Sequence, residues 1–368
     1  ADVGGGMLRR ATARCASRAA RGLGTKAPGT AAVDWSSLGF HVVPTNGIVR
    51  YDHADGAWDA GTFTLDPRVP LHVLSHALNM GQAVFEGLKA FHTKDGRVCL
   101  FNPLANHRRL CRSAARMAMP QVSEALFLEA VARAVRANVE YVPPYGSGGA
   151  LYIRPVLFGH GPQLLLGPAP QFTLAVAVAP VGSYYKGALS GVRALVQTEF
   201  DRAATRGVGA CKVAGNYGPD VHVVGDAIAK GYNVVLYLDS ATQTFVEEFS
   251  GSNFVGVTAA GALVTPQSPS ILPSCTRAVV LREAEGLGIP TEERPLPWDE
   301  VPTLREAAAC GTAVVLTPMQ SITRGAQEVR FGQFPIIQTL YDRVVALQRG
   351  EAEDVHGYLH EVDLSGED

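Results

Sequence analysis

Hydrophobic positions in the N-terminal half follow two different periods. Residues 105–119 and 123–142 carry apolar side chains every three or four positions, which predicts two amphipathic helices. Residues 151–158 and 172–179 are short and apolar with β-branched positions, and they predict buried strands of a sheet. Because helices lie between strands, the pattern indicates a mixed α/β layer.

The C-terminal half repeats this mixture after a turn-rich segment. A helix is predicted over 219–230, since Pro219 suits a first turn, Gly231 follows its end, and Val221, Val224 and Ile228 share one face. A strand over 234–238 follows directly. Further strands are predicted over 244–249 and 253–257, and further helices over 277–285 and 302–309.

Residues 181–191 form a polar, glycine-containing segment without hydrophobic periodicity. We interpret it as a linker between a smaller domain, residues 34–180, and a larger one, residues 192–368. The fold class predicted from the pattern is α/β, of the mixed α+β kind, in two domains.

Composition narrows the choice of partners. Apolar residues make up 47% of the chain and charged residues 18%, which is typical of a globular protein. A net charge of −2 offers no field to attract nucleic acid or an anionic membrane. Apolar runs such as 172–181 are well short of the ~20 residues that span a bilayer. We therefore expect small-molecule partners.

The residues before position 34 have the composition of an organelle-targeting sequence. No acidic residue occurs from Val3 to Val33, whereas five arginines and Lys26 are spaced through Ala, Ser, Thr and Gly. An Arg-rich, acid-free leader is typical of a transit peptide, and no apolar core of a secretory signal is present. We expect delivery to an organelle matrix, with the mitochondrion favoured over the chloroplast; a disordered basic tail is the alternative.

Several patterns that resemble chemical sites are weak. The six cysteines are scattered without a CxxC spacing, which favours a reducing compartment over disulfides or zinc. The segment 207–212 lacks the glycine spacing and the Ser or Thr of a phosphate loop. His356 and His360 are four apart, but Gly357 intervenes, so a solvated C-terminal helix is favoured over a metal site.

Lys212 stands out, because it follows a glycine-rich turn and directly precedes a helix start. Around it, seven separated stretches occur in an order and spacing that resemble the branched-chain amino acid aminotransferases, fold-type IV enzymes that use pyridoxal 5′-phosphate. They are NMGQAVFEGLKAF (79–91), LFNPLANHRR (100–109), YIRP (152–155), KVAGNY (212–217), EFSGSN (248–253), ILPSCT (271–276) and GTA (311–313). The resemblance runs from about Trp35 to Asp363.

The resemblance implies how the cofactor is held. Lys212 would form the Schiff base and carry protons, and Glu248 would keep the pyridine nitrogen protonated. Glu247 competes for that role, but neighbouring strand residues face opposite sides and the spacing to Asn253 selects Glu248. The phosphate would be bound by Arg109 and Thr312 and by the helix start at Cys275 and Thr276, while the Tyr217 hydroxyl would reach the ring oxygen.

The resemblance also implies a substrate pocket. Phe40, Phe85 and Tyr152 match positions that line an apolar pocket, although each also suits a plain core. The amides of Thr312 and Ala313 would bind the substrate carboxylate, with Arg154 organising the site for the distal carboxylate of glutamate.

The family assignment predicts transamination of Leu, Ile or Val with 2-oxoglutarate by a homodimer, with a small N-terminal domain and a larger cofactor-binding domain of sheet or barrel type. Relatives of the fold that act on D-amino acids or aminodeoxychorismate remain the alternative, followed by a non-enzyme scaffold. Met80 stands where the family usually has a tyrosine that helps to hold the carboxylate, and a thioether cannot donate that hydrogen bond. Ser274 and Asn102 replace a usual Gly and a usual Arg. Val314 and Thr317 occupy the positions of a redox CxxC, so no thiol regulation of that kind is predicted.

Overall fold

The structure is a computed structural model that describes residues 33–182 and 191–366. Nearly all of the expected leader and most of the expected linker, 181–191, lie outside the described residues. Two sheets organise the described chain, one of nine strands and one of ten.

The first sheet is antiparallel. Its order is Leu359–Glu361 (β19), Val98–Phe101 (β6), Leu88–His92 (β5), Ala150–His160 (β7), Gln171–Val181 (β8), Ile48–Ala54 (β1) and Ala57–Trp58 (β2), with Thr62–Thr64 (β3) beside β1 and Ala83–Phe85 (β4) beside β7. Apolar residues of α2 and α3, including Leu110, Phe127 and Val131, pack in one cluster with Leu151 and Leu174 of the sheet. The helices and strands predicted over 105–179 are therefore confirmed. The elements of this part are β1 Ile48–Ala54, β2 Ala57–Trp58, β3 Thr62–Thr64, α1 His76–Asn79, β4 Ala83–Phe85, β5 Leu88–His92, β6 Val98–Phe101, α2 Pro103–Arg116, α3 Glu124–Arg136, β7 Ala150–His160 and β8 Gln171–Val181.

The second sheet contains a closed barrel. Its order includes β12-β16-β17-β9-β10-β11, and β11 pairs with β12, so six strands form a ring. Leu236, Phe254 and Met319 belong to one buried cluster of this domain. The elements of this part are β9 Val192–Val196, α4 Asp220–Ala229, β10 Val234–Leu238, β11 Phe245–Phe249, β12 Ser252–Val257, β13 Leu263–Pro266, α5 Cys275–Gly286, β14 Thr291–Arg294, β15 Leu296–Pro297, β16 Glu306–Gly311, β17 Val315–Arg324, β18 Gln327–Arg330, α6 Pro335–Gln348 and β19 Leu359–Glu361.

Two local predictions were wrong. The helix expected over 302–309 is instead the end of a 3-10 helix, Trp298–Thr303, followed by the central strand β16. The expected C-terminal helix is instead a turn with Gly357 at a φ of 67° and then β19. The helix predicted over 219–230 is confirmed as α4; it buries Val223 and Ala227, and the face with Val221 and Ile228 is exposed.

The final strand joins the two parts of the chain. Leu359–Glu361 pairs with β6 at the edge of the first sheet, with His360 opposite Leu100. Residues 359–361 lie within the range 192–368 that we predict as the second domain, but they pair with a strand of the first.

Two findings concern what the described part of the chain lacks. None of its helices has the length and apolarity needed to cross a bilayer. Within the same ranges no group of three or more His, Cys, Asp or Glu side chains is placed to hold a metal ion.

Candidate active site

Backbone contacts from the first sheet hold Lys212 at the junction of the two domains. The Lys212 amide donates to Ser113 Oγ of α2 at 2.9 Å, and the Phe85 amide donates to the Lys212 carbonyl at 3.1 Å. Val213 forms a bridge with Val84 of β4. Because the backbone at Lys212 and Val213 is bonded to α2 and to strand β4, the lysine side chain projects into the cleft from a fixed position.

The amine of Lys212 is buried among aromatic rings. Its Nζ donates to the Tyr217 hydroxyl at 2.9 Å and lies 4.7 Å from the centroid of the Phe85 ring. Burial and the nearby Arg109 guanidinium lower the pKa of Lys212 to about 8. A large share of this amine is therefore uncharged at mildly alkaline pH, as a nucleophile requires. Burial and the carboxylate of Glu248 raise the pKa of Tyr217, so its hydroxyl stays protonated.

Glu248 faces the same cavity from β11. Its Oε2 accepts from Asn253 Nδ2 at 2.8 Å, and its Oε1 accepts from the Leu272 amide at 3.0 Å. Burial raises the pKa of Glu248 to about 7, although Arg202 and the Leu272 amide oppose the shift. Glu247 is also buried but accepts from Ser268 and Ser270, so the two neighbouring acids have separate partners, in agreement with the predicted alternation.

Sequence reasoning missed Arg202, which binds Glu248. Arg202 Nη2 lies 2.8 Å from Glu248 Oε1, and both side chains are almost fully buried. The guanidinium also donates to the Ser270 carbonyl. A Cβ on Gly209 would lie 2.7 Å from Arg202 Nη2 and closer still to the Ser270 carbonyl, so the glycine leaves room for the arginine.

Arg109 also lines the cavity and is paired with a second acid that sequence reasoning missed. Its Nε and Nη2 each donate to the Glu86 carboxylate at 2.7 Å, and its Nη1 donates to the Pro273 carbonyl at 3.1 Å. Burial opposes both charges, but the pair raises the pKa of Arg109 and lowers the pKa of Glu86. Glu86 lies inside the stretch 79–91. Its acidic side chain next to Gly87 was the feature of the sequence that could have identified it as a site residue.

Helix α5 begins beside Arg109. Ser274 precedes it, and its Oγ accepts from the Arg277 amide at 3.1 Å, so this departure from the family glycine caps the helix. Cys275 and Thr276 form its first residues, and together with Thr312 they line a small cavity of about 20 Å³ that adjoins the main one. The positive end of a helix and Arg109 therefore lie together, as binding of a phosphate requires.

An aromatic wall adjoins Lys212 on the small-domain side. The rings of Phe40 and Tyr152 are 5.1 Å apart in an edge-to-face arrangement. Arg154 Nη2 donates to the Tyr152 hydroxyl at 2.9 Å, and the Arg154 guanidinium lies 4.7 Å from the centroid of Phe85. A Cβ on Gly87 would lie 2.1 Å from the Tyr152 hydroxyl oxygen, so this glycine makes room for the tyrosine.

A tight turn at residues 311–314 also lines the cavity. The Val314 amide donates to the Gly311 carbonyl at 3.2 Å, which places Thr312 and Ala313 at the corner. Lys89 Nζ donates to the Ala313 carbonyl at 3.0 Å from the first sheet, a contact that sequence reasoning did not find. The lysine fixes the orientation of the turn.

The structure brings most of the predicted residues to one cavity of about 90 Å³. Phe40, Phe85 and Arg154 are not among the residues that line the cavity, but each contacts Tyr152 or Lys212, which do. Met80 is exposed and is not among the lining residues either. The predicted residues that line it are Arg109, Tyr152, Lys212, Tyr217, Glu248, Thr312 and Ala313.

The arrangement of a closed barrel, a half-open sheet and a lysine at their junction defines a class of protein. Residues 83–322 match the model of the family described as amino-transferase class IV. The chain belongs to this family of class IV aminotransferases.

Individual relatives agree over almost the full described length. A branched-chain-amino-acid aminotransferase of Helicobacter pylori is 40% identical over 334 residues, covering 90% of this chain and 98% of the relative. The crystal structure of a branched-chain aminotransferase from Thermoproteus uzoniensis with norvaline is 30% identical, with a TM-score of 0.71, and the match covers 85% of this chain and 99% of that one. A branched-chain amino acid aminotransferase from T.th. with pyridoxamine 5′-phosphate is 25% identical, with a TM-score of 0.73 and coverage of 86% and 99%.

The cofactor of this family is pyridoxal 5′-phosphate, and the residues present fit it. The buried carboxylate of Glu248 suits a protonated ring nitrogen, and Arg109 with the start of α5 suits a phosphate. Lys212 lines the same cavity with an amine of lowered pKa. The donor set therefore provides each contact that the cofactor needs.

Proposed function

We propose that the protein transfers the amino group of branched-chain L-amino acids, Leu, Ile or Val, to 2-oxoglutarate. The observation that carries this proposal is the amine of Lys212, 2.9 Å from the Tyr217 hydroxyl, next to the aromatic wall of Phe40, Phe85 and Tyr152. An apolar wall suits a branched aliphatic side chain, because no polar group of the substrate has to be satisfied there. The names of the relatives support the same substrate class.

The residues divide the chemistry between them. Bound pyridoxal phosphate supplies an electron sink for the charge that develops when the substrate Cα loses a proton. Lys212 would hold the cofactor through Nζ, and its free amine would accept the proton from the substrate Cα and deliver it to C4′ of the cofactor. The amides of Thr312 and Ala313 bind the substrate carboxylate in the turn that Lys89 holds. Arg154 supplies the cation for the distal carboxylate of glutamate.

A spectroscopic experiment tests the proposal. The visible absorption of the purified holoenzyme should bleach when L-leucine is added and return when 2-oxoglutarate follows. Lys212→Ala should remove the starting band of the lysine-linked cofactor, whereas Lys230→Ala on the surface should leave it unchanged. Steady-state rates with L-leucine should exceed those with D-alanine and aminodeoxychorismate; the reverse order would contradict the proposal.

We also propose that the protein is a homodimer. The loop after β7 exposes three consecutive leucines, Leu164, Leu165 and Leu166, and its Gln163 amide donates to the Leu74 carbonyl next to the exposed side chains of Val73 and Leu78. Such an apolar patch favours a protein contact. Leu165→Asp with Leu166→Asp should halve the mass in solution measured by light scattering, and Val355→Asp, an exposed position elsewhere, should not.

We propose further that residues 1–33 direct the chain to an organelle matrix, with the mitochondrion favoured. The support is their charge, since arginines and a lysine occur from Val3 to Val33 without any acid. Residues 1–33 fused to a fluorescent protein should carry it into mitochondria. Replacing Arg14, Arg18 and Arg21 by Glu should leave it in the cytosol, and import into plastids alone would favour the other organelle.

A further inference from the structure

One acidic residue of the active-site cavity has no part in the chemistry described above. Among the described residues that line this cavity, the acids are Asp220 and Glu248, and the cations are Arg109, Arg202 and Lys212. Asp220 is the first residue of α4. Its carboxylate is therefore a charged group beside the cofactor site to which neither cofactor binding nor proton transfer assigns a role.

A tyrosine of the barrel holds the Asp220 side chain. The Tyr237 hydroxyl donates to Asp220 Oδ1 at 2.6 Å. Tyr237 packs in one cluster with Val223 and Ala227 of α4, whereas the preceding Leu236 packs inside the barrel. Because neighbouring strand residues face opposite sides, the acid is held from the outer face of β10.

The surroundings of Asp220 favour its ionised form without neutralising it. Burial raises the pKa of Asp220, but the Tyr237 hydrogen bond and the charge of Arg202 oppose the rise. The positive end of α4 also favours a carboxylate at its first position. Among the ion pairs within the described ranges, none includes Asp220. The residue therefore adds a negative charge that no directly paired cation cancels.

Glu248, the acid suited to the ring nitrogen, is itself paired with a cation. Its Oε1 lies 2.8 Å from Arg202 Nη2, so the two charges largely cancel. A protonated nitrogen of the cofactor is a cation, and a neutral pair stabilises it less than a net negative site does. Glu247 is the next acid along β11, but two serine hydroxyls bond to its carboxylate and it is not among the described lining residues. Asp220 is thus the acid that can supply the further negative charge.

The other cations of the cavity leave this balance unchanged. Arg109 is paired with the Glu86 carboxylate through two hydrogen bonds of 2.7 Å. Lys212 Nζ is the atom that would join the cofactor, so it belongs to the group that has to be stabilised. Asp220 and the pair of Glu248 with Arg202 together leave one negative charge, which matches one protonated nitrogen.

We propose that Asp220 is a positioning residue whose charge stabilises the protonated, lysine-linked cofactor, with Tyr237 holding the carboxylate in place. Asp220 acts through its field and by offsetting the charge of Arg202, whereas Glu248 remains the acid suited to direct contact with the ring nitrogen. Nothing is transferred to or from Asp220. This role requires the cofactor of the family and is independent of the substrate proposed above.

The pH dependence of the visible spectrum of the holoenzyme measures this role without turnover. The absorption of the lysine-linked cofactor changes as the nitrogen of the linkage loses its proton with rising pH. Asp220→Asn removes the charge but keeps an oxygen that can accept from Tyr237, so we expect the fold to be retained. The midpoint of the spectral change should fall by about half to one pH unit, because a nearby negative charge is lost. Asp220→Glu keeps the charge and should recover most of the shift.

Asp226→Asn is the matched control, since it removes the same charge from the same helix. Asp226 is exposed, its Oδ2 lies 3.6 Å from His222 Nε2, and it is not among the described residues that line the active-site cavity. Solvent and salt screen such a charge, so the midpoint should match the wild type. Urea denaturation of the cofactor-free variants measures any separate effect on the fold.

A wild-type midpoint in Asp220→Asn, or an equal shift in Asp220→Asn and Asp220→Glu, would overturn the proposal, because the charge would then have no influence. If Asp220→Asn fails to take up the cofactor, wild-type binding by Asp220→Glu supports the role of the charge and failure of both variants overturns it. No substrate is present in these measurements. A failure to transaminate L-leucine would therefore count against the proposed function and leave the role of Asp220 standing.

Discussion

Arg202 Nη2 lies 2.8 Å from Glu248 Oε1 in the wall of the active-site cavity. Burial disfavours the ionised form of Glu248, and the arginine favours it. Because the ring nitrogen of the cofactor needs an ionised partner, we expect Arg202 to act as a positioning residue for the reaction through its contact with Glu248.

Arg202→Gln should raise the pKa of Glu248 further above its ordinary value, since the main opposing charge is gone. Loss of a charged hydrogen bond of about 1.5–3 kcal/mol corresponds to roughly 10- to 100-fold weaker cofactor binding at neutral pH. Titration of cofactor-free protein with pyridoxal phosphate at several pH values measures this. Arg202→Lys should recover part of the loss, and Arg206→Gln, an exposed arginine of the same segment, should match the wild type. Equal affinity in Arg202→Gln would contradict the role.

Glu248 should make the stability of the cofactor-free protein depend on pH. Its pKa rises from 4.5 to about 7 on folding, so the folded state binds its proton more tightly than the unfolded state does. The contribution of this group is full below pH 4.5 and is lost as pH rises through 7, by at most about 3 kcal/mol. Chemical denaturation of wild type and Glu248→Gln between pH 5 and 8 should show a steeper decline in the wild type. Parallel curves would argue against the raised pKa.

Glu86→Gln should destabilise the fold strongly. The substitution removes the charge opposite Arg109 in a pair whose side chains are 5% and 0% exposed. Breaking such a buried pair costs about 3–5 kcal/mol in the free energy of unfolding. Urea denaturation measures the loss, and Glu361→Gln, which breaks a surface pair with Arg97, provides the control with no measurable change expected. A loss equal to that of the control would show that the pair is not important for stability.

Gly87→Ala should raise the KM for L-leucine more than it lowers kcat. The added Cβ would meet the Tyr152 hydroxyl oxygen at 2.1 Å, so the ring must move and its bond with Arg154 is lost. A contact of this kind is worth about 1 kcal/mol, or a several-fold change in binding. Gly332→Ala, where nothing lies within 4 Å of the added carbon, should leave both constants unchanged. A fall in kcat alone would mean that Tyr152 does not contact the substrate.

The sequence identified the residues that occur in local motifs better than those that act through distant contacts. Lys212 and Tyr217 are five residues apart, and the structure places the lysine amine against the tyrosine hydroxyl. Arg202 precedes Lys212 by a turn-rich segment without a period, so nothing local indicates that it reaches Glu248 on β11. Lys89 likewise meets Ala313 across 224 positions of the chain.

The fold was predicted well where periodicity is strong and poorly where composition misleads. The amphipathic pattern of α3 and the apolar runs of β7 and β8 identify these elements. The run of alanines at 307–309 has high helix propensity, but the barrel needs a buried strand between β12 and β17 at that place. Tertiary pairing therefore decides the structure of this segment.

The pairing of β19 with β6 has a consequence for biosynthesis. During translation β6 leaves the ribosome early, whereas its neighbour at Leu359–Glu361 is made some 250 positions later, after the whole barrel. Until then one edge of β6 has no strand partner for its backbone N–H and C=O groups. The nascent chain therefore exposes an aggregation-prone sheet edge through most of its synthesis. This edge is a defined binding site for chaperones that shield extended segments.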